Sequence, residues 1–116
     1  MDVLAWDLPA NSPEGGLKLQ FAANVYMQVP RSGGELVVWP VSLDREKYLE
    51  LNTGSYGVDA SKLGVEPTII TPKVGELILF NCRLVHAVND NDECDRVAAS
   101  CFVGYRGHSL PLPMWS

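Results

Sequence analysis

The chain has 116 residues, 47% of them hydrophobic and 20% charged, with a formal net charge of −5. That is enough for one domain with its own core, and it lacks the basic surplus that neutralises nucleic-acid phosphates. No apolar run approaches the roughly 18 residues of a membrane span, and no basic-then-apolar leader pattern opens the chain, so a cytoplasmic protein is expected.

In chain order, residues 1–16 read as irregular, with Pro9, Pro13 and the Gly15-Gly16 pair. From Leu17 the pattern turns strand-like, and residues 22–29 alternate strictly. Asn24, Tyr26 and Gln28 share one face and Val25, Met27 and Val29 the other, which suits a strand lining a polar cavity. Residues 30–34 (Pro-Arg-Ser-Gly-Gly) make a turn, and Glu35–Trp39 is a strand stopped by Pro40. Residues 42–51 form the one helical candidate, capped by Ser42 or Asp44 and free of glycine. Residues 52–67 read as a long excursion. Then come Thr68–Ile70, a turn at Pro72–Gly75, a strand at Glu76–Cys82, a polar loop at 87–95 and a strand at Arg96–Tyr105. The proline-broken tail 110–116 is expected to pack across a sheet. The pattern predicts a single mainly β domain over residues 1–116, of the sandwich or jelly-roll type.

Cysteines 82, 94 and 101 form no Cys-x-x-Cys pair, and their odd number argues against a closed disulfide framework; they read as reduced, packed thiols. The chain offers two histidines, His86 and His108. His86 follows an apolar strand, a position that suits either a hydrogen-bonded scaffold residue or a metal ligand. On the last strand Arg96, Ala98, Ser100 and Phe102 share a face. A guanidinium with two small residues beneath it leaves room for a carboxylate ligand, which arginine grips through two parallel N–H bonds. Tyr26 is positioned to donate to the same carboxylate. The alternative for Arg96 is a surface ion pair with an acid such as Asp95.

The order of these features resembles the C-terminal half of the iron(II)- and 2-oxoglutarate-dependent oxygenases of the prolyl-hydroxylase-like group. The segment from Asn24 to Tyr105 carries the likeness: Asn24-Val-Tyr-Met-Gln28, then Gly33-Gly-Glu-Leu36, then Pro72-x-x-Gly-Glu-Leu-Ile-Leu-Phe80, then His86, then Arg96. The resemblance implies a double-stranded β-helix (jelly roll, cupin-like), in this chain an incomplete one, with one short helix near 43–51. It implies iron(II) and 2-oxoglutarate as cofactors, His86 and Asp7 as metal ligands, and Arg96, Tyr26 and Ser100 around the cosubstrate. In that family the first metal ligand is the histidine of a His-x-Asp/Glu motif, and Ala5 stands at that place in Ala5-Trp-Asp7. The implied activity is hydroxylation of a small-molecule or amino-acid-type substrate coupled to decarboxylation of 2-oxoglutarate. The alternatives are an inactive or truncated module that keeps the carboxylate clamp, and a cupin-like isomerase or sugar-binding barrel, which usually supplies a histidine cluster. The expected partners are small molecules only, with no nucleic acid or membrane. An incomplete barrel would expose strand edges, which implies a homo-oligomer or another partner.

Overall fold

A computed structural model of the chain describes residues 16–52, 57–92 and 94–116. Ala5 and Asp7 lie outside the described residues. Strand β1 (Leu19–Gln28) is the longest element and runs between β4 (Leu77–Asn81) and β6 (Val97–Tyr105), with β7 (Met114–Trp115) on the far side of β6. A second sheet has β2 (Leu36–Val38) at its centre, flanked by β3 (Thr68–Ile70) and β5 (His86–Val88). Every pairing among these strands is antiparallel. The chain passes from one sheet to the other between β1 and β2, β3 and β4, β4 and β5, and β5 and β6. The fold is mainly β and jelly-roll-like, as the alternation and the spacing of the turns predict.

Strand β2 is a run of three branched apolar residues, all buried, as befits a strand with a neighbour on each side. The helix α1 (Arg45–Leu51) begins where Asp44 accepts from the Lys47 backbone N–H at 2.7 Å, so Asp44 rather than Ser42 is its cap. Only Leu51 of this helix is buried. A short 3-10 turn at Ala60–Lys62, capped by Asp59, interrupts the excursion after it. The tail pairs through Met114 and Trp115 with β6, and Trp115 stacks on Phe102 with ring centroids 5.7 Å apart.

The two faces of the four-stranded sheet are sharply different. Gln20, Ala22 and Tyr26 of β1 point inward and are buried, Gln20 to 2% and Tyr26 to 1% of full exposure. The opposite face carries Val25 and Met27 of β1, Leu77 and Leu79 of β4, Val97 of β6 and Met114 of β7. All of these are exposed, up to 62% for Leu77 and 66% for Met114. Strand register sets them side by side: Val25 lies opposite Leu77, and Ala23 opposite Leu79. The alternation predicted in sequence is therefore real, and the half with the polar letters is the half that faces the other sheet.

One departure from the expected pattern falls at the end of β1. Tyr26 pairs with Ala98 and Gln28 with Val97, so Met27 is an extra residue and the strand carries a bulge. Gln28 therefore leaves the face it was expected to share with Asn24 and Tyr26. It is exposed, and its amide donates to the Asp95 carbonyl at 2.8 Å.

Candidate functional site

Between the two sheets lies a cavity of about 320 Å³. Asn24 from β1, Phe80 from β4 and Ser100 from β6 line one side; Leu36 from β2 and His86 from β5 line the other; Arg96 enters from the loop before β6. Among the described lining residues there is no Asp or Glu side chain; Arg96 lines the cavity, and so does Ser116, the last residue of the sequence. Of the expected site residues, the structure thus brings His86, Arg96 and Ser100 together. Asp7 lies outside the described residues. His108 is exposed, with its ring edge-on to Tyr105 at 5.9 Å, and takes no part in the cavity.

His86 is positioned by a turn that the sequence encodes locally. Asn81 ends β4, and its side chain accepts from the Arg83 N–H at 3.1 Å while its carbonyl accepts from the Leu84 N–H at 3.2 Å. Arg83 fastens this turn to the start of β1 by donating to the Lys18 carbonyl at 2.9 Å. Backbone bonds from Trp39 N–H to Val85 and from Val85 N–H to Val41, each 2.9 Å, then carry β5 alongside β2, with His86 opposite Val38. His86 was expected just beyond a strand; it opens one instead. Its Nδ1 lies 2.9 Å from the Leu84 carbonyl, so this nitrogen is placed to donate to it. A backbone carbonyl on the far nitrogen is how metal-bound histidines are commonly oriented. Phe80 packs against the ring edge-on at 5.0 Å.

Arg96 is half-buried, and its guanidinium carbon sits 5.6 Å from the centroid of the Tyr26 ring, within cation–π range. No ion pair joins it to a carboxylate among the described residues, so the alternative of a surface pair with Asp95 does not describe it. Tyr26 is not one of the lining residues; it lies beneath the guanidinium, and its buried hydroxyl has no hydrogen-bond partner among the described residues. A buried hydroxyl left unpaired costs about 1–3 kcal/mol, and an ordered water or a bound group are among the things that satisfy such a hydroxyl in native proteins.

The lining donors suit an organic carboxylate: a guanidinium without a carboxylate partner among the described residues, and the amide of Asn24 and hydroxyl of Ser100 facing each other across the β1–β6 ladder. The same test applied to iron gives a different answer. No three His, Cys, Asp or Glu side chains among the described residues come together to hold a metal. His86 is the only imidazole in the cavity lining.

Sequence reasoning placed Asn24 with Tyr26 on a face lining a polar cavity, where the structure has it, but did not single it out as a site residue. It also missed the contact of Gln28 with Asp95, because a bulge leaves no mark in a strictly alternating pattern.

One curated relative, leucinostatins biosynthesis cluster protein S of Purpureocillium lilacinum, is 33% identical to this chain over 114 residues. The alignment takes in 88% of this chain and 46% of the relative, so the chain spans about half the length of the protein it matches. No family profile and no solved structure matches the chain.

Proposed function

We propose that this chain is an iron(II)/2-oxoglutarate oxygenase-like jelly roll, and that its cavity binds 2-oxoglutarate through Arg96. The observation that carries the reading is the pairing of a half-buried guanidinium, without a described carboxylate partner, with the unpaired hydroxyl of Tyr26 beneath it. Arg96 would donate two N–H bonds to the distal carboxylate, and the Tyr26 face holds the guanidinium flat while it does so. Asn24 and Ser100 orient the rest of the ligand, and Leu36, Phe80 and Val88 keep water from its carbon chain. His86, through Nε2, and Asp7 would hold iron(II), which when bound supplies the oxygen chemistry of a hydroxylation.

The name of the matched relative places that protein in a biosynthesis cluster, which supports a biosynthetic setting for this chain, and the substrate we propose is of small-molecule or amino-acid type. Among the described residues no helix is long and apolar enough to cross a membrane. No disulfide joins Cys82, Cys94 and Cys101, which supports a reducing compartment such as the cytoplasm.

A second reading has its own support. One imidazole holds iron(II) poorly, since affinity follows ligand number and geometry, and the described residues bring no others together. On that reading the chain binds the carboxylate ligand without turning it over. Calorimetric titration with 2-oxoglutarate tests what the two readings share. Arg96→Ala is expected to weaken binding by roughly 30-fold or more, the usual cost of removing one partner of a charged hydrogen-bonded pair. Unchanged affinity in that variant defeats both. Succinate formation with iron(II) in air separates them, since only the oxygenase reading expects it.

A further inference from the structure

A guanidinium is useful as a carboxylate clamp only if it is held in place before the ligand arrives. Three features outside the cavity lining converge on Arg96. The bulge at Met27 turns Gln28 out of the alternating pattern, and its side-chain amide donates to the carbonyl of Asp95, the residue immediately before Arg96. On the other side, the turn before β2 has Gly33 and Gly34 at φ of 80° and 74°, a backbone shape that favours glycine. A Cβ at Gly34 would come within 2.9 Å of the Pro30 ring and 3.6 Å of Arg96 Cδ, so the aliphatic stem of Arg96 runs along this turn. The turn is in turn fastened to the loop after β5: the Gly34 N–H donates to the Asn89 carbonyl, and the Asn89 N–H to the Glu35 carbonyl, each at 3.0 Å. The Tyr26 ring completes the cradle from below.

We propose that Gln28 is a positioning residue: together with the bulge at Met27 it fixes the backbone ahead of Arg96, so that the guanidinium stands over Tyr26 and faces the cavity. The proposal rests on the reading of Arg96 as the carboxylate clamp. Without the bulge, strict alternation would put Gln28 on the cavity face and leave the Asp95 carbonyl without this donor. With it, the loop carrying Arg96 is tied to β1 one step beyond their last ladder pair, Gln28 with Val97.

Two measurements test this on the full chain: calorimetric binding of 2-oxoglutarate, and the NMR shifts of the Arg96 side-chain protons, which the Tyr26 ring current is expected to move upfield. Gln28 is exposed, so Gln28→Ala is expected to fold, to lose the upfield shift and to bind about fivefold more weakly, the scale of one hydrogen bond. Gln28→Lys keeps a donor and is expected to recover both. Adding Gln28→Ala to Arg96→Ala should cost no further affinity, since a positioning residue has nothing left to position. An unchanged Arg96 shift in Gln28→Ala overturns the inference, as does an equal loss of affinity with and without Arg96. If the unmodified chain fails to bind 2-oxoglutarate, the cavity reading falls by itself, and the Arg96 shift still decides whether Gln28 positions that side chain.

Discussion

The inner and outer faces of the β4-β1-β6-β7 sheet exchange the roles that their residues would ordinarily take. On the inside, β1 buries Gln20 and Tyr26 and presents Asn24 to the cavity; on the outside it exposes Val25 and Met27 beside Leu77 and Leu79. Burying polar groups costs free energy unless they find partners, whereas exposing single apolar side chains costs little. A contiguous apolar face is a different matter, because soluble monomers rarely expose large ones. The contrast teaches that burial by itself does not identify the chemistry of a strand face.

The largest effect should come from the floor of the cavity. Leu36 is almost fully buried at the centre of the smaller sheet, and Leu36→Ala is expected to cost about 2–5 kcal/mol in denaturant unfolding. A loss below 1 kcal/mol would mean that the space between the sheets is not a packed interior. Tyr26→Phe sharpens the inner face further. It removes a hydroxyl with no described partner, so stability should hold or rise, while 2-oxoglutarate affinity falls roughly tenfold if the phenol meets the ligand. A drop in stability with unchanged affinity would make that hydroxyl structural.

The outer face makes the opposite forecast. Leu79 is 57% exposed, so Leu79→Lys should change unfolding free energy by no more than about 0.5 kcal/mol. A penalty several times larger, or a change of oligomeric state on size-exclusion chromatography with light scattering, would show that this face is covered in solution. The smallest effect concerns Glu35, which accepts from the Asn89 side chain at 3.1 Å. Hydrogen bonds from its own backbone N–H, foremost, and from Asn89 hold its carboxyl below the usual value. Because folding lowers this pKa, the bonds to the anion stabilise the fold above the unfolded value and are lost as pH falls through the lower, folded one. Glu35→Gln should therefore lower stability slightly in the neutral range, where the anion's bonds contribute, and flatten its pH dependence at and below the ordinary glutamate pKa. An unaltered acid limb would show that the Glu35–Asn89 bond contributes nothing in solution.

Much of the architecture was legible because its signals are local. Residues 22–28 alternate, Pro40 stops a strand, Asp44 caps the helix, and Gly75 at φ 84° closes the turn into β4. Each depends on a few adjacent residues and on sterics that do not wait for the rest of the chain. His86 and Arg96 could be singled out as well, Arg96 by its place above small residues on one strand face and His86 by its place after an apolar strand, although only the family resemblance implied a metal-ligand role for His86. Their relation could not be read, because it depends on β5 joining one sheet and β6 the other. The stacking of Arg96 on Tyr26 was also out of reach: Tyr26 was expected beside the guanidinium as a second donor, and the sheet register puts its ring underneath.

The sequence by itself determined the class of fold, the place of most strands and the residues from which a carboxylate site could be made, because turn chemistry and period-2 patterning act over a few residues. Only the tertiary structure decided which face of β1 looks inward, where the strand bulges, and that His86 and Arg96 line one cavity. Those outcomes are set by pairing between distant segments, such as Leu19 with Tyr105 across the β1–β6 ladder and Gln28 with Asp95 at a separation of 67, and alternation along one strand reads the same whichever face is buried.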